Sequence, residues 1–247
     1  MLDGRGLAQI NMSYPICLFF GIIPSVIWLL FYLRKDTHPE SNRMVLKIFL
    51  YGMLIALPTA LIEMGISEET AKLSFPNSSL TIINIFLGVA LIEEFLKYLV
   101  VREKVLDHHE FDEPLDTMLY MIISALGFAA SENILIFFNL SPVSFFHAAV
   151  EMSASRFVSA TFLHALCSGT FGYFLALSFY EHKNKIKFTI LGLGISVLLH
   201  GLYNFSIMNL ESPLNFLIPL VILVGLAIFV TIGFNKLKKI KSVCKIN

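Results

Sequence analysis

LTIINIFLGVALIEEFLKYLVV, running from Leu80 to Val101, is long and apolar enough to cross a membrane, yet it carries Glu93, Glu94 and Lys97. A spanning helix needs about 20 mostly apolar residues. Each charge placed mid-helix in a bilayer costs about 2.5–3.5 kcal/mol on insertion scales. A chain tolerates such charges when they pair, face a wet cavity, or do chemistry. Glu93 and Lys97 stand four residues apart and Glu94 and Lys97 three apart, so all three share one helix face. One carboxylate can neutralise the ammonium, leaving the other free to take a proton, as a general base must. A self-neutralising structural pair is the competing reading.

The remainder of the chain has the same character. Of 247 residues, 56% are hydrophobic and only 15% charged, against about a quarter charged in a soluble domain. Mean hydropathy is +0.76. Apolar stretches of spanning length fall near 15–33, 45–64, 80–101, 117–140, 157–180, 188–208 and 213–235. The expectation is an all-α, polytopic bundle of about seven spans in the plasma membrane, forming one domain over 1–247 with its motifs between 80 and 208. The first span ends in Arg34-Lys35 without a small-residue cleavage site, unlike a signal peptide. One set of loops and the tail carry 14 basic residues (Arg34, Lys35, Arg43, Lys47, Arg102, Lys104, Lys183, Lys185, Lys187, Lys236, Lys238, Lys239, Lys241 and Lys245), and the other set only Arg5, Lys72 and Arg156. The positive-inside rule then puts the C-terminus in the cytoplasm and the N-terminus outside. Net charge is zero and nothing points to nucleic acid. Cys17, Cys167 and Cys244 are too scattered for a disulfide framework and read as small buried hydrophobes or a free thiol. No internal repeat supports an inverted-repeat transporter. His108 and His109, among acids in the third loop, read as a solvated loop, with a surface metal site as the alternative.

Three later spans answer the Glu93–Lys97 cluster. The fourth holds Glu132 and Asn133, the only strongly polar residues between Thr117 and Phe138. Glu132 therefore needs a partner on another helix, or a proton. In the fifth, His164, Ser168, Gly172 and Ala176 recur at four-residue spacing, and in the sixth Gly192, Ser196, His200 and Asn204 do the same. Small residues in such rows let helix backbones approach closely. A lone buried histidine is usually a satisfied core residue. Two on small-residue seams, with glutamates on two further spans, point to a shared polar site. The set suits water activation by glutamate with histidine assistance and His200 and Asn204 at an oxyanion. It equally suits a metal held by two His and one or two Glu. Intramembrane Glu, Lys and His also serve proton relays, so a proton-coupled transporter or immunity protein is the non-enzymatic alternative. His-Glu-x-x-His, Gly-x-Gly-Asp and Gly-x-Ser-Gly signatures are missing.

EEFLK (Glu93–Lys97), GFAASEN (Gly127–Asn133), HALCS (His164–Ser168) and HGLYN (His200–Asn204), in this order, resemble the motifs of the PrsW family, as does FDEPLD (Phe111–Asp116). These are intramembrane glutamic-type proteases of the CAAX prenyl endopeptidase and abortive-infection superfamily. The resemblance covers about half of the chain. It implies a metal-independent peptidase without cofactor, in which Glu93 and Glu94 activate water. It also implies that His164 assists the water or the leaving group and that His200 and Asn204 hold the oxyanion. Glu132 is a motif carboxylate, with Lys97 and Asn133 supporting. Lys97 stands where the wider superfamily often has arginine, and Ala160 where it often has phenylalanine. The implied substrate is a membrane-anchored protein, such as an anti-sigma factor.

Counting along ideal helices raises one conflict. His164, His200 and Glu132 fall about 10–13 Å from one end of their spans, but Glu93 and Glu94 about 20 Å from theirs.

Overall fold

The structure, a computed structural model, describes residues 4–36, 38–138, 145–180 and 184–240. Lys183, Lys241, Lys245 and Cys244 lie outside the described residues. The described chain is helical without strands: α1 (Gly4–Leu33), α2 (Asn42–Thr70), α3 (Asn77–Ile83), a π-helical segment (Asn84–Leu91), α4 (Ile92–Lys104), α5 (Pro114–Phe138), α6 (Phe145–Val158), α7 (Ala160–Tyr180), α8 (Lys185–Asn209) and α9 (Leu214–Leu237). Seven helical stretches are long and apolar enough to cross a membrane: 14–33, 42–70, 77–104, 114–138, 147–179, 185–209 and 214–237. They match the seven expected segments to within a few residues, except that the second runs on past 64 and the fifth starts ten residues early, because α6 precedes α7.

Hydropathy does not reveal which helix is central, but burial does. In α5 78% of the best spanning window is buried, against 22% in α9 and 28% in the first and third spans. α5 is sheathed by α1, α2, α4 and α7. With lipid as apolar as the side chains, such a core is held by close packing rather than by a hydrophobic drive between helices. Two glycines make that packing possible. A Cβ on Gly127 would lie 2.0 Å from the Phe49 carbonyl oxygen, and one on Gly52 would lie 2.2 Å from that of Ser124. α2 and α5 therefore cross in backbone contact. The small-residue row of α7 plays the same part, with Gly172 against the Met118 backbone of α5. On α8, Gly192 admits Phe174 and Phe171, and Ser196 donates to the Cys167 carbonyl at 2.7 Å.

FDEPLD is the start signal of α5. Pro114 opens the helix, and Asp116 accepts the backbone N–H groups of Asp112 (2.9 Å) and Glu113 (2.7 Å), the back-bond of a capping box. The same end of the bundle is strapped to the α1–α2 loop. Ser41 caps α2 through the Met44 N–H and donates to Glu110 at 2.6 Å, while Tyr120 donates to Glu40 at 2.5 Å. Burial pushes Glu40 up to about 8 despite the tyrosine, and Asp116 and Asp36 add to the effect. Cys17 and Cys167 are buried and unpaired.

Candidate active site

Lys97 is the hub. Its side chain is wholly buried, and its ammonium donates to Glu93 Oε2 (2.9 Å), Glu94 Oε1 (2.9 Å) and His164 Nδ1 (2.8 Å). The Phe128 ring lies 4.4 Å from the same nitrogen and 5.7 Å from the His164 ring, closing the cluster with an aromatic wall. Lys97 is placed by its own backbone, whose carbonyl accepts Ser124 Oγ of α5 at 3.1 Å. The segment leading into the cluster is π-helical. Such segments recur at functional sites, because the extra residue re-aims the face that follows.

The two glutamates are not equivalent. Glu94 is fully buried and saturated: Oε1 takes Lys97 and His200 Nδ1 (3.1 Å), and Oε2 takes Ser168 Oγ (2.7 Å). Glu93 is 5% exposed and has one short partner, Lys97, with His164 Nδ1 at 3.5 Å and His200 Nε2 at 4.0 Å. Its Oε1 accepts no hydrogen bond among the described residues.

The histidine tautomers follow from their neighbours. Lys97 can only donate, so His164 Nδ1 accepts, and its Nε2–H donates to Glu132 Oε2 at 2.9 Å. Glu132 also takes Arg156 Nη2 at 2.7 Å. This is the interhelical partner that the sequence required. Asn133 is fully buried and ties the elements together: it donates to the Gly21 carbonyl of α1 (3.2 Å) and to Thr161 of α7 (3.1 Å), and accepts Arg156 Nε of α6. His200 donates from Nδ1 to Glu94, which turns Nε2 toward Glu93. Asn204 lies one turn beyond His200 on α8, half-buried, and its carboxamide has no partner among the described residues.

Glu93, Glu94, Glu132, His164 and His200 thus meet in one connected cluster, and Asn204 lies one helical turn from His200. Three participants escaped the sequence reading. In the sequence Arg156 reads only as a loop charge, although a lone arginine on the basic-poor side, eight residues before His164, is the available signal. Phe128, inside GFAASEN, was unremarkable among 23 phenylalanines. Glu63 of α2 stands within electrostatic reach of Glu93, Glu132 and Lys97, with a buried Oε1 that nothing satisfies among the described residues. It sits in an apolar span and carried the same anomaly as Glu93. Phe157 and Phe162 stack on Trp28 at 5.1 and 4.0 Å, leaving Phe128 as the aromatic wall.

A family model described as "PrsW family intramembrane metalloprotease" matches residues 40–232. This chain belongs to the PrsW family of intramembrane proteases. It is 31% identical to Protease PrsW of Oceanobacillus iheyensis over 82% of this chain and 88% of that protein. It is 31% identical to Protease PrsW of Geobacillus kaustophilus over 77% and 79%, and 29% identical to Protease PrsW of Bacillus subtilis over 90% and 94%. No solved structure matches.

The family description implies a metal, and the donor set invites the test. One ligand atom each from Glu93, Glu94, His164 and His200 lie within 4.8 Å of one another. By composition this is a zinc set. But the Lys97 ammonium stands among the same side chains, 2.8–2.9 Å from Glu93 Oε2, Glu94 Oε1 and His164 Nδ1, and has no exposed surface into which to withdraw. An ion bound by all four would meet a second cation at contact distance. With Lys97 in place the residues do not fit a metal.

Proposed function

We propose that this PrsW-family protein hydrolyses a peptide bond of a membrane-anchored protein through water activated by Glu93, without a metal. The observation that carries the reading is the asymmetry of the glutamates. Glu94 is spent on Lys97, His200 and Ser168, whereas Glu93 commits only Oε2, which takes Lys97 and lies 4.0 Å from His200 Nε2, and its Oε1 accepts no hydrogen bond among the described residues. A water at that oxygen loses its proton to Glu93 as its oxygen attacks the scissile carbonyl carbon. The carbonyl becomes an oxyanion facing His200 Nε2 and the Asn204 carboxamide. The proton then passes to the leaving nitrogen as the C–N bond breaks, giving a carboxylic acid and an amine. Charge count supports a protonated His200 in this step. Glu93 and Glu94 against Lys97 leave one net negative charge, which an imidazolium cancels, and buried charge is tolerated when balanced. His164, engaged at both nitrogens, assists by holding Lys97 and Glu132 in register. Burial of the cluster within a helix bundle supports a substrate that is itself membrane-embedded, with a regulator such as an anti-sigma factor as one such class.

The rival reading, a metal held by the same four side chains, requires Lys97 to leave the cluster. One experiment separates the two: detergent-purified protein, a library of transmembrane peptides, and the variants Glu93→Gln, Glu94→Gln, Glu132→Gln, His164→Ala and His200→Ala. The expected result is cleavage by wild type, its loss in folded Glu93→Gln, and insensitivity to chelators. Stoichiometric zinc whose removal abolishes cleavage would establish the metal mechanism instead. Undiminished cleavage by all folded variants would refute both.

A further inference from the structure

Two cavities at the basic end of the bundle share a wall. One, of about 280 Å³, is lined by Arg43, Met44, Lys47, His108, His109 and Glu110. The other, of about 420 Å³, is lined by Arg43, Leu46, Lys47, Leu50, Tyr51 and Leu54. Arg43 and Lys47 stand at the boundary between a polar chamber and an apolar groove. Leu46, Leu50 and Leu54, spaced four apart, form one row down α2, and all three are exposed (58%, 47% and 60%). At about 1.5 Å per residue, Arg43 to Leu54 covers about 16 Å, which suits the upper part of an acyl chain. Lys104 joins the rim, its ammonium 5.2 Å from the Tyr51 ring.

The placement of Arg43 and Lys47 is unusual. Both sit near the N-terminus of α2, the positive end of the helix dipole, whose first turn holds no acid. Neither has an ion-pair partner among the described residues. Glu110, the one acid in the chamber, has its Oε2 taken by Ser41. The cavity therefore attracts an anion.

His108, His109 and Glu110 could be read as metal ligands, since their donor atoms lie within 4.8 Å. But His108 Nδ1 already accepts the Glu110 N–H at 3.3 Å, and two cations line the same chamber. The groups left to a ligand are imidazole N–H and N together with a carboxylate oxygen, which suit hydroxyl groups.

We infer that this double cavity is a binding site for an anionic glycerophospholipid with a small hydroxyl-bearing headgroup. The phosphate lies between Arg43 and Lys47, the headgroup hydroxyls face His108 and His109, and one acyl chain follows Leu46, Leu50 and Leu54. Charge complementarity and the junction of polar chamber with apolar groove select a lipid over a soluble anion. The site lies apart from the Glu93–Lys97 cluster and does not depend on how that cluster reacts.

The test is native mass spectrometry of the delipidated full chain with phosphatidylglycerol or phosphatidylcholine added. Wild type should retain one phosphatidylglycerol in preference to phosphatidylcholine. R43Q/K47Q should weaken that retention by about 30-fold, the effect of removing two basic residues from an anionic headgroup. Leu50→Trp fills the groove without touching a charge and should also weaken it. K236Q/K238Q/K239Q, at the end of α9, should not, and excess inorganic phosphate should not displace the lipid. Equal retention of both lipids, or wild-type retention by R43Q/K47Q or by Leu50→Trp, overturns the proposal. So does an equal loss in the α9 variant, which would mark a general basic rim, or displacement by phosphate, which would mark a soluble-anion site.

Discussion

Replacing Lys97 by methionine tests the account of the cluster most directly. The side chains are similar in length, so the change removes charge and hydrogen bonds with little loss of volume. Three donations disappear, to Glu93, Glu94 and His164, all from a nitrogen with no exposure. Glu93 and Glu94 are 5% and 0% exposed and would be left as two neighbouring carboxylates without their cation. Breaking a buried ion pair from one side costs about 3–5 kcal/mol, because the remaining charge is stranded. We expect Lys97→Met to lose about that much in detergent unfolding titrations and to lose peptidase activity. Adding Glu94→Gln removes one stranded charge, so the double variant should be more stable than the sum of the singles by about 0.5–3 kcal/mol. The same substitution empties the position among the four donor atoms. Lys97→Met should then acquire zinc affinity that wild type lacks, visible as a stabilisation of about 2.7 kcal/mol when zinc is at 100 times its dissociation constant. A variant within about 1 kcal/mol of wild type, or wild type that binds zinc stoichiometrically, refutes the reasoning.

The glutamate asymmetry predicts a split between two conservative variants. Glu93→Gln should lower kcat by about 10²- to 10⁴-fold with a small change in stability. Glu94→Gln, which weakens contacts to Lys97, His200 and Ser168, should cost at least about 2 kcal/mol as well as activity; equal stability of the two variants would contradict the assignment. Gly127→Val should destabilise by more than about 3 kcal/mol, beyond ordinary overpacking, because its Cβ meets the Phe49 carbonyl oxygen rather than a movable side chain; a melting point unchanged in detergent would refute the α2–α5 contact. Glu40, raised from 4.5 to about 8, holds in the folded chain a proton that the unfolded chain releases. Its contribution is full below about pH 4.5 and is lost as pH rises through about 8. Thermal midpoints from pH 5 to 9 should fall less in Glu40→Gln than in wild type, and parallel curves would exclude it as the source.

Most of the architecture was legible because a bilayer permits few alternatives. Seven apolar runs had to be helices, since lipid admits only helices and closed barrels, and barrel strands cross in about ten residues of alternating polarity rather than about twenty apolar ones. Polar residues in four of them had to meet, since none could stand alone. Central placement of α5 was not legible: its mean hydropathy of 1.8 equals that of the third span, yet one is enclosed and the other is not. What marks α5 is Gly127, whose importance depends on the carbonyl opposite. Nor does a sequence pattern announce the π-helical turn before Glu93 or the break at Ser159 that separates α6 from α7. That break matters, because α6 brings Arg156 to Glu132.

The depth conflict resolves through helix direction. Ser124 hydrogen-bonds the Lys97 carbonyl, so those residues share a level. From there Glu132 stands eight residues along α5, about 12 Å toward the end away from the basic loops, and Glu93 four residues back along α4, about 6 Å the same way. The residual gap is about 6 Å. Helical side chains lean toward their own N-terminus. α4 and α7 run toward the basic end, so Glu93, Lys97 and His164 lean away from it. α5 runs oppositely, so Glu132 leans back toward them. The His164 ring spans what remains, bonded to Lys97 at one nitrogen and Glu132 at the other. The site is therefore a file, Glu94–Lys97–His164–Glu132–Arg156, rather than a compact nest. Its ends differ in kind. At one, Glu94 is sealed and Glu93 keeps a free oxygen; at the other, the partly exposed Glu132 is matched by arginine. Under the mechanism we propose, such a file lets Glu132 and Arg156 fix the His164 ring, and through it Lys97, while Glu93 activates the water.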